Sequence, residues 1–416
     1  GAGTDLALLK TKATPKGDGS YAVTGQKIFI STGDHDFGGN VIHLVLARLP
    51  DAPEGVKGIS LFLVPKFPVN ADGSLRARNA MSIGSLEEKM GIHAQPTCVM
   101  NYDDATGWLV GEPNRGLMAM FTMMNAERLM VGIQGLGIAG ASYIQAVGYA
   151  KDRLQGRSAD GARGPVAIIE HADVRRMLLN VRGFVEAARA LAGWVALQME
   201  RSHHHAEPGE RAKADALVAL LTPVVKAGFT DFGFESAVQA QQVFGGHGYI
   251  REWGMEQYVR DARIAQIYEG TNGVQAMDLV GRKFSLAGGA VVDGFFDLVA
   301  AELAEAGKSE SASLIAERTT AALALLREVT TSLRGADTDT LGAAAVDTCR
   351  MFALVSFGWM WAKMAAAASA GDTPFHAAKT EVARYFATRM LPQVEGLASQ
   401  IKAGPEPMLA MGVEAF

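Results

Sequence analysis

Two rhythms of hydrophobic positions divide the chain. Up to about residue 110, apolar residues come in short runs rich in β-branched and aromatic side chains. "SYAVTGQKIFIS" (20–31), "VIHLVLARL" (41–49) and "GISLFLVPKF" (58–67, broken by Pro65) read as strands. "PKGDGS" (15–20) reads as a hairpin turn between two such runs. Near Gly116 the pattern changes, and apolar residues then recur at three and four, the spacing of amphipathic helices. Loops are expected at "GRSADGARGP" (156–165), "RSHHHAEPGE" (201–210), "RGADTDTLG" (334–342) and "AGDTP" (370–374). A Gly-rich break, "VFGGHGYIREWG" (243–254), interrupts the helices. Strands are thus segregated from helices, an α+β plan rather than alternating α/β. Three segments are expected: a β domain over 1–112, a helical bundle over 113–283 and a further helical extension over 284–416.

The most apolar run is "MFALVSFGWMWA" (351–362), between Arg350 and Lys363. Twelve such residues are too few to span a bilayer, so a buried helix is expected and no transmembrane segment. Composition adds little: 49% hydrophobic and 20% charged residues suit a globular protein with large cores. The net charge of −5 gives no electrostatic reason to expect nucleic acid as a partner. Only two cysteines occur, Cys98 and Cys349, which excludes a disulfide framework. The opening "GAGTDLALLKTKA" lacks a signal-peptide core, and a cytoplasmic location is expected.

Two motifs mislead. "GLGIAG" (135–140) has the dinucleotide-binding spacing, yet helical periodicity already precedes it where that motif needs a strand. Its glycines are expected inside a helix, permitting close packing. "HHH" (203–205) sits beside Glu207, Pro208 and Gly209 with no second ligand pair, so a solvated loop is expected and no metal.

The stretch with chemistry is "QIYEGTNGVQAMDLVGRK" (266–283). Asn272 with Gln275 resembles a capping box, and Val274, Met277 and Val280 then share a helical face. Glu269 therefore precedes a helix N-terminus. There it could be a favourable end charge, or an acid or base. Three other features accompany it. "QVFGGHGY" (242–249) is a bend offering backbone N–H groups. "GQKIFISTG" (25–33) puts Phe29 and Ser31 on one side of a strand. "NAERL" (125–129) spaces Asn125 and Arg128 one helical turn apart.

In this order the motifs resemble the acyl-CoA dehydrogenase family over residues 1–283. "GAGTD" resembles its flavin loop, "GQKIFIS" its "GQKxWIT", and "MGIHAQPT" the strand entering the helical domain. "RLQGR" resembles "RxxFG", "QVFGGHGY" resembles "QxxGGxGY", and "RDARIAQIYEGTNGVQ" resembles "RDARIxxIYEGTxxIQ", the most specific of them. The resemblance implies a β-barrel-like domain ahead of the bundle. It also implies an FAD enzyme that desaturates acyl-CoA thioesters between Cα and Cβ. Glu269 would take the α-proton while a hydride passes from Cβ to flavin N5. The thioester oxygen would be held by the Glu269 backbone N–H and a flavin ribityl hydroxyl. Thr4, Phe29, Ser31 and Thr271 would contact the flavin. Arg153, Gln242 and Gly246 would reach the FAD of a neighbouring subunit, implying a homodimer. Asn125, Arg128 and Tyr268 would line the substrate path. Electrons would pass to an electron-transferring flavoprotein.

Departures from the pattern are Phe29 for the usual Trp, the missing Phe in "RLQGR", and Gly273 where Gln is common. The chain is also expected to lack the family's N-terminal helical domain. Residues 284–416 resemble the extension of the branch that includes very-long-chain and 3-methylmercaptopropionyl-CoA dehydrogenases, packed where a second dimer would otherwise dock. An oxygen-using acyl-CoA oxidase and a non-catalytic helical scaffold remain alternatives on the residues alone.

Overall fold

The computed structural model describes all residues except 1–4, 158–160 and 162–163. They form two compact units, 1–127 and 128–416.

In the first unit six strands follow one another: β1 (Lys12–Pro15), β2 (Tyr21–Ser31), β3 (Ile42–Arg48), β4 (Ile59–Pro65), β5 (Met81–Leu86) and β6 (Thr97–Val110). The order β2-β1-β3-β4-β6 is closed by a β2–β6 pairing, which makes a small barrel, and β5 lies on β6. The 15–20 turn is a hairpin: β1 and β2 pair antiparallel and the Lys16 N–H donates to the Ser20 carbonyl at 2.9 Å. "MGIHAQPT" is mostly loop, because β6 starts only at Thr97. Inward-pointing Val23, Val45, Phe62, Val64, Met100 and Ala105 fill the barrel. Among them His43 is buried between Tyr102, 2.6 Å from Nδ1, and the Gly33 carbonyl, 2.7 Å from Nε2. A carbonyl can only accept, so Nε2 carries the proton and Nδ1 accepts from the tyrosine hydroxyl. Burial lowers the His43 pKa, in keeping with this neutral tautomer.

The helices are α1 (Gly116–Asp152), α2 (Ala172–His204), α3 (Pro208–Val243), α4 (Gly246–Tyr249), α5 (Met255–Arg263), α6 (Asn272–Gly281), α7 (Ala290–Ala306), α8 (Glu310–Leu333), α9 (Thr338–Ala368), α10 (Pro374–Tyr385), α11 (Gln393–Lys402) and α12 (Glu406–Leu409). One core runs through the second unit, from Leu129 and Phe229 to Trp361 and Ile401. At its centre is α9. Trp361 Nε1 donates to the Gly183 carbonyl of α2 at 2.8 Å. Arg350 pairs bidentately with Glu235 of α3 at 2.6 and 3.0 Å.

Three sequence expectations are corrected. The histidine run is not a loop: His203 and His204 end α2, where they suit the negative end of the helix dipole, and His205 caps it. The 334–342 loop is shorter, because Asp337 accepts from the Thr340 N–H at 2.9 Å and starts α9 at Thr338. The twelve-residue length argument also fails. That run belongs to the 31-residue α9, one of four helical stretches among the described residues long and apolar enough to cross a membrane. Packing accounts for its apolarity, since 78% of its most apolar window is buried inside the fold.

The "GLGIAG" glycines do lie within α1, where Gly135 packs closely on α3, Gly140 faces Arg189 of α2 and Gly137 faces open space. A Cβ on Gly135 would stand 2.7 Å from the Phe229 carbonyl oxygen, and Gly233 faces Gly135 equally closely. Gly135→Ala is expected to lower unfolding stability by about 1–3 kcal/mol through forced separation of the helices. Denaturant unfolding measures this; an unchanged midpoint would show that the contact yields freely.

Candidate active site

Glu269 lies in the short link between α5 and α6. A 3-10 turn, Ile264–Gln266, leads into it, and the Tyr268 N–H donates to the Ile264 carbonyl at 3.1 Å. Glu269 has φ +57° and Gly270 φ +84°. Glycine adopts that conformation freely, but a glutamate there is uncommon. Such outliers persist where surrounding structure enforces them, and they gather at functional sites. The Glu269 residue is half-buried, with Oε2 out of contact with solvent.

What enforces the turn is mostly α3. Asp231 accepts from Gln266 Nε2 at 2.7 Å and from Asn272 Nδ2 at 2.7 Å. One carboxylate therefore grips the chain three residues before Glu269 and three residues after it. Asn272 Nδ2 also meets Thr230 Oγ1 at 2.9 Å, and its Oδ1 accepts from Lys226 Nζ at 2.9 Å. Gln275, fully buried, donates to the carbonyl of Glu269 at 3.2 Å. Tyr268 donates its hydroxyl to Gln134 of α1.

The helix start shifts by one residue from the sequence reading. Thr271 is the N-cap and its Oγ1 accepts from the Val274 N–H at 3.3 Å, so Asn272 is the first helical residue. The capping-box spacing misled because Asn272 and Gln275 spend their side chains on α3 and on the turn. The buried face is correspondingly Ala276, Leu279 and Val280, while Val274 is exposed.

Two titratable groups beneath the turn are displaced. Burial pushes the Asp231 carboxyl up, with the Gln266 and Asn272 hydrogen bonds opposing. Burial also lowers Lys226 to about 8, against the pull of Asp231 and Glu269 and with repulsion from Arg128. Lys226 is wholly inaccessible. Neither Lys226, Asp231, Gln134 nor Gln266 was singled out in the sequence. The available signal was a lysine and an aspartate five apart within the apolar "TPVVKAGFTDFGF", since charges are rarely fully buried unless paired.

The other predicted residues fall into separate places. Arg128 is half-buried on α1, whereas Asn125, three residues earlier, is exposed. Phe29 sits in a β-bulge: β2 shifts register against β6 between Lys27 and Ile30. Its φ is +59° and it is 68% exposed. Simple alternation therefore does not place it beside Ser31, which is exposed at the strand end. Next to Ser31 the turn is fixed by the Thr32 N–H on the Pro96 carbonyl, 2.8 Å, and by His43 on Gly33. Thr4 lies outside the described residues.

Arg153, Gln242 and Gly246 form another group. Tyr149 stacks on Phe244 at 4.0 Å and bonds His247 Nδ1 at 2.9 Å, which brings the C-terminal ends of α1 and α3 side by side. The three residues are exposed there. Gly245 holds φ +57° and ψ −135°, and a Cβ at Gly248 would stand 2.3 Å from the Gln241 carbonyl oxygen. The N–H groups of Gly245 and Gly248 are used within the bend, on Gln242 and Gly245 carbonyls. Along α3, Gln242 is about 17 Å from Asp231, at 1.5 Å per residue.

Comparison with known proteins places the chain. Residues 1–105 match the family described as acyl-CoA dehydrogenase, middle domain, and residues 114–283 match acyl-CoA dehydrogenase, C-terminal domain. Residues 295–412 match acetyl-CoA dehydrogenase C-terminal like. The chain is 43% identical over 414 residues to 3-methylmercaptopropionyl-CoA dehydrogenase of Ruegeria pomeroyi, covering 96% of this chain and 70% of that protein. The Caenorhabditis elegans ACDH-11 structure in complex with C11-CoA superposes with a TM-score of 0.80 at 21% identity, covering 99% of this chain and 67% of that one. A Bacillus anthracis acyl-CoA dehydrogenase complexed with FAD gives 0.70 at 20% identity, covering 98% and 68%. The chain belongs to the acyl-CoA dehydrogenase family and is an oxidoreductase of that class.

Two expectations follow from the local geometry. Thr271→Ala should cost about 1 kcal/mol of stability, and Thr271→Ser little, because only the cap oxygen is removed; equal effects in thermal unfolding would contradict the cap. The second concerns pH. Lys226 titrates near 8 in the fold against 10.5 when exposed. Between those values the unfolded chain binds more protons, so this group's contribution to stability rises with pH across that window. Urea unfolding of wild type and Lys226→Met at both ends of the window should show a smaller rise in the variant, in which buried Lys27 still contributes.

Proposed function

We propose that the protein oxidises an acyl-CoA thioester at Cα–Cβ, with Glu269 as the base that removes the α-proton. The observation that carries the reading is the Glu269 turn: a half-buried carboxylate at φ +57°, gripped from both sides by Asp231 and lying over a buried lysine. An α-proton beside a thioester is weakly acidic, so its base must be fixed within reach and shielded from water. The backbone N–H of Glu269 would supply the donor that the developing enolate oxygen needs.

FAD is the cofactor, and when bound it accepts the β-hydride. The residues present fit a flavin: exposed Phe29 on its bulge offers a ring face, Ser31 a hydroxyl, and the rigid Gly-rich bend an exposed approach for a polar chain. Thr271 is committed to its cap, so any flavin contact from it uses the remaining capacity of the hydroxyl. Arg128 and Tyr268 line the acyl path near Glu269, and Asn125 lies one turn before Arg128. Arg153, Gln242 and Gly246, at the exposed ends of α1 and α3, serve the FAD of a second copy in a homodimer. Residues 1–112, 113–283 and 284–416 act as flavin-binding, catalytic and supporting segments. A methylthio-substituted acyl-CoA is the substrate to test first, given the relative of that name. An electron-transferring flavoprotein takes up the electrons.

Glu269→Gln should bind FAD and acyl-CoA yet slow bleaching of the flavin by substrate by about 10²–10⁴-fold. Anaerobic mixing with a panel of acyl-CoAs, the methylthio compound included, reads this out. Unchanged bleaching would remove Glu269 from the mechanism. Readmitting air then separates dehydrogenase from oxidase: slow reoxidation supports the dehydrogenase, and rapid peroxide release overturns it.

A further inference from the structure

Beneath the turn sits a charge that the mechanism above does not use. Lys226 is the one lysine among the largest fully buried side chains of the described residues. Burying an ammonium is costly unless it is bonded and compensated. Its bonding partner is Asn272 Oδ1 at 2.9 Å, and that bond turns the Asn272 amide so that Nδ2 faces Asp231 and Thr230. Asn272 is the first residue of α6, immediately after the turn. Compensation comes from two carboxylates, Asp231 on its own helix and Glu269 on the turn, while Arg128 of α1 opposes it. From α9, Cys349 and Arg350 face Asp231.

We infer that Lys226 is a positioning residue for Glu269: its ammonium orients Asn272, so fixing the turn, and sets a positive charge beneath the catalytic carboxylate. The inference rests on the reading of Glu269 as base. A bond alone could have been supplied by a neutral side chain. A buried cation adjoining two half-buried carboxylates also sets how many of them ionise together. Removing the cation raises the proton affinity of both carboxylates. Removing Asp231 instead leaves the cation to Glu269 and lowers its proton affinity.

The test is the pH profile of flavin reduction by acyl-CoA, measured by stopped flow on the FAD-loaded protein. Lys226→Met should move the profile to higher pH by about one unit, and Lys226→Arg should restore most of it. Asp231→Asn should move it to lower pH. Opposite shifts are a signature that loosened packing cannot produce, and Asp231→Asn supplies the measurement if Lys226→Met does not fold. Amide hydrogen exchange over 264–275 should quicken in Lys226→Met, a readout independent of turnover. Unshifted profiles in the variants, with Glu269→Gln inert, overturn the role of Lys226 and leave the base standing. An active Glu269→Gln instead removes the base itself, and exchange over 264–275 still reports whether Lys226 holds the turn.

Discussion

A single half-buried carboxylate, Asp231, supports the link that carries Glu269. It accepts one hydrogen bond from Gln266 and one from Asn272, each at 2.7 Å. Those donors flank a glutamate and a glycine that both hold positive φ. Left alone, the glutamate would relax to an ordinary conformation, and the strain amounts to about 1–3 kcal/mol. Bracketing by one acceptor offsets it, since hydrogen bonds to a charged group are worth about 1.5–3 kcal/mol each. The rest of the second unit is organised to keep that acceptor still. Glycines at 132, 135 and 233 let α1 and α3 approach closely, and Arg350 ties α9 onto α3 one turn beyond Asp231.

Seen this way, the extension is part of the site's foundation. Its central helix α9 supplies Trp361 to α2 and Arg350 to α3, and Phe357 packs among Phe184, Phe229 and Phe232. Rigid aromatic packing of this kind fixes α3, and α3 in turn carries Lys226, Thr230 and Asp231. The chemistry is at a loop, as is usual, but its precision comes from helices.

Much of this was legible in the residues. The change of hydrophobic period near Gly116 marks where strands give way to helices, and the hairpin at 15–20 and the helical setting of "GLGIAG" follow from local patterns. Glu269 stood out through its neighbours Tyr268, Gly270 and Thr271. The misses share one cause, which is distance in sequence. Asn272 looked like a cap because its partners Lys226 and Asp231 are more than forty positions away. Phe29 looked like an alternating strand residue because its bulge is set by register with β6. The "HHH" run looked like a loop because nothing local shows that α2 continues through it.

The central claim is that the Glu269 carboxylate removes the proton from Cα. Exchange of that proton with solvent tests it apart from oxidation. With the flavin held reduced, acyl-CoA in deuterium oxide is followed by proton NMR at Cα. The account predicts deuterium uptake with the wild-type protein and none above the uncatalysed rate with Glu269→Gln. Uptake at the same rate in both would contradict it.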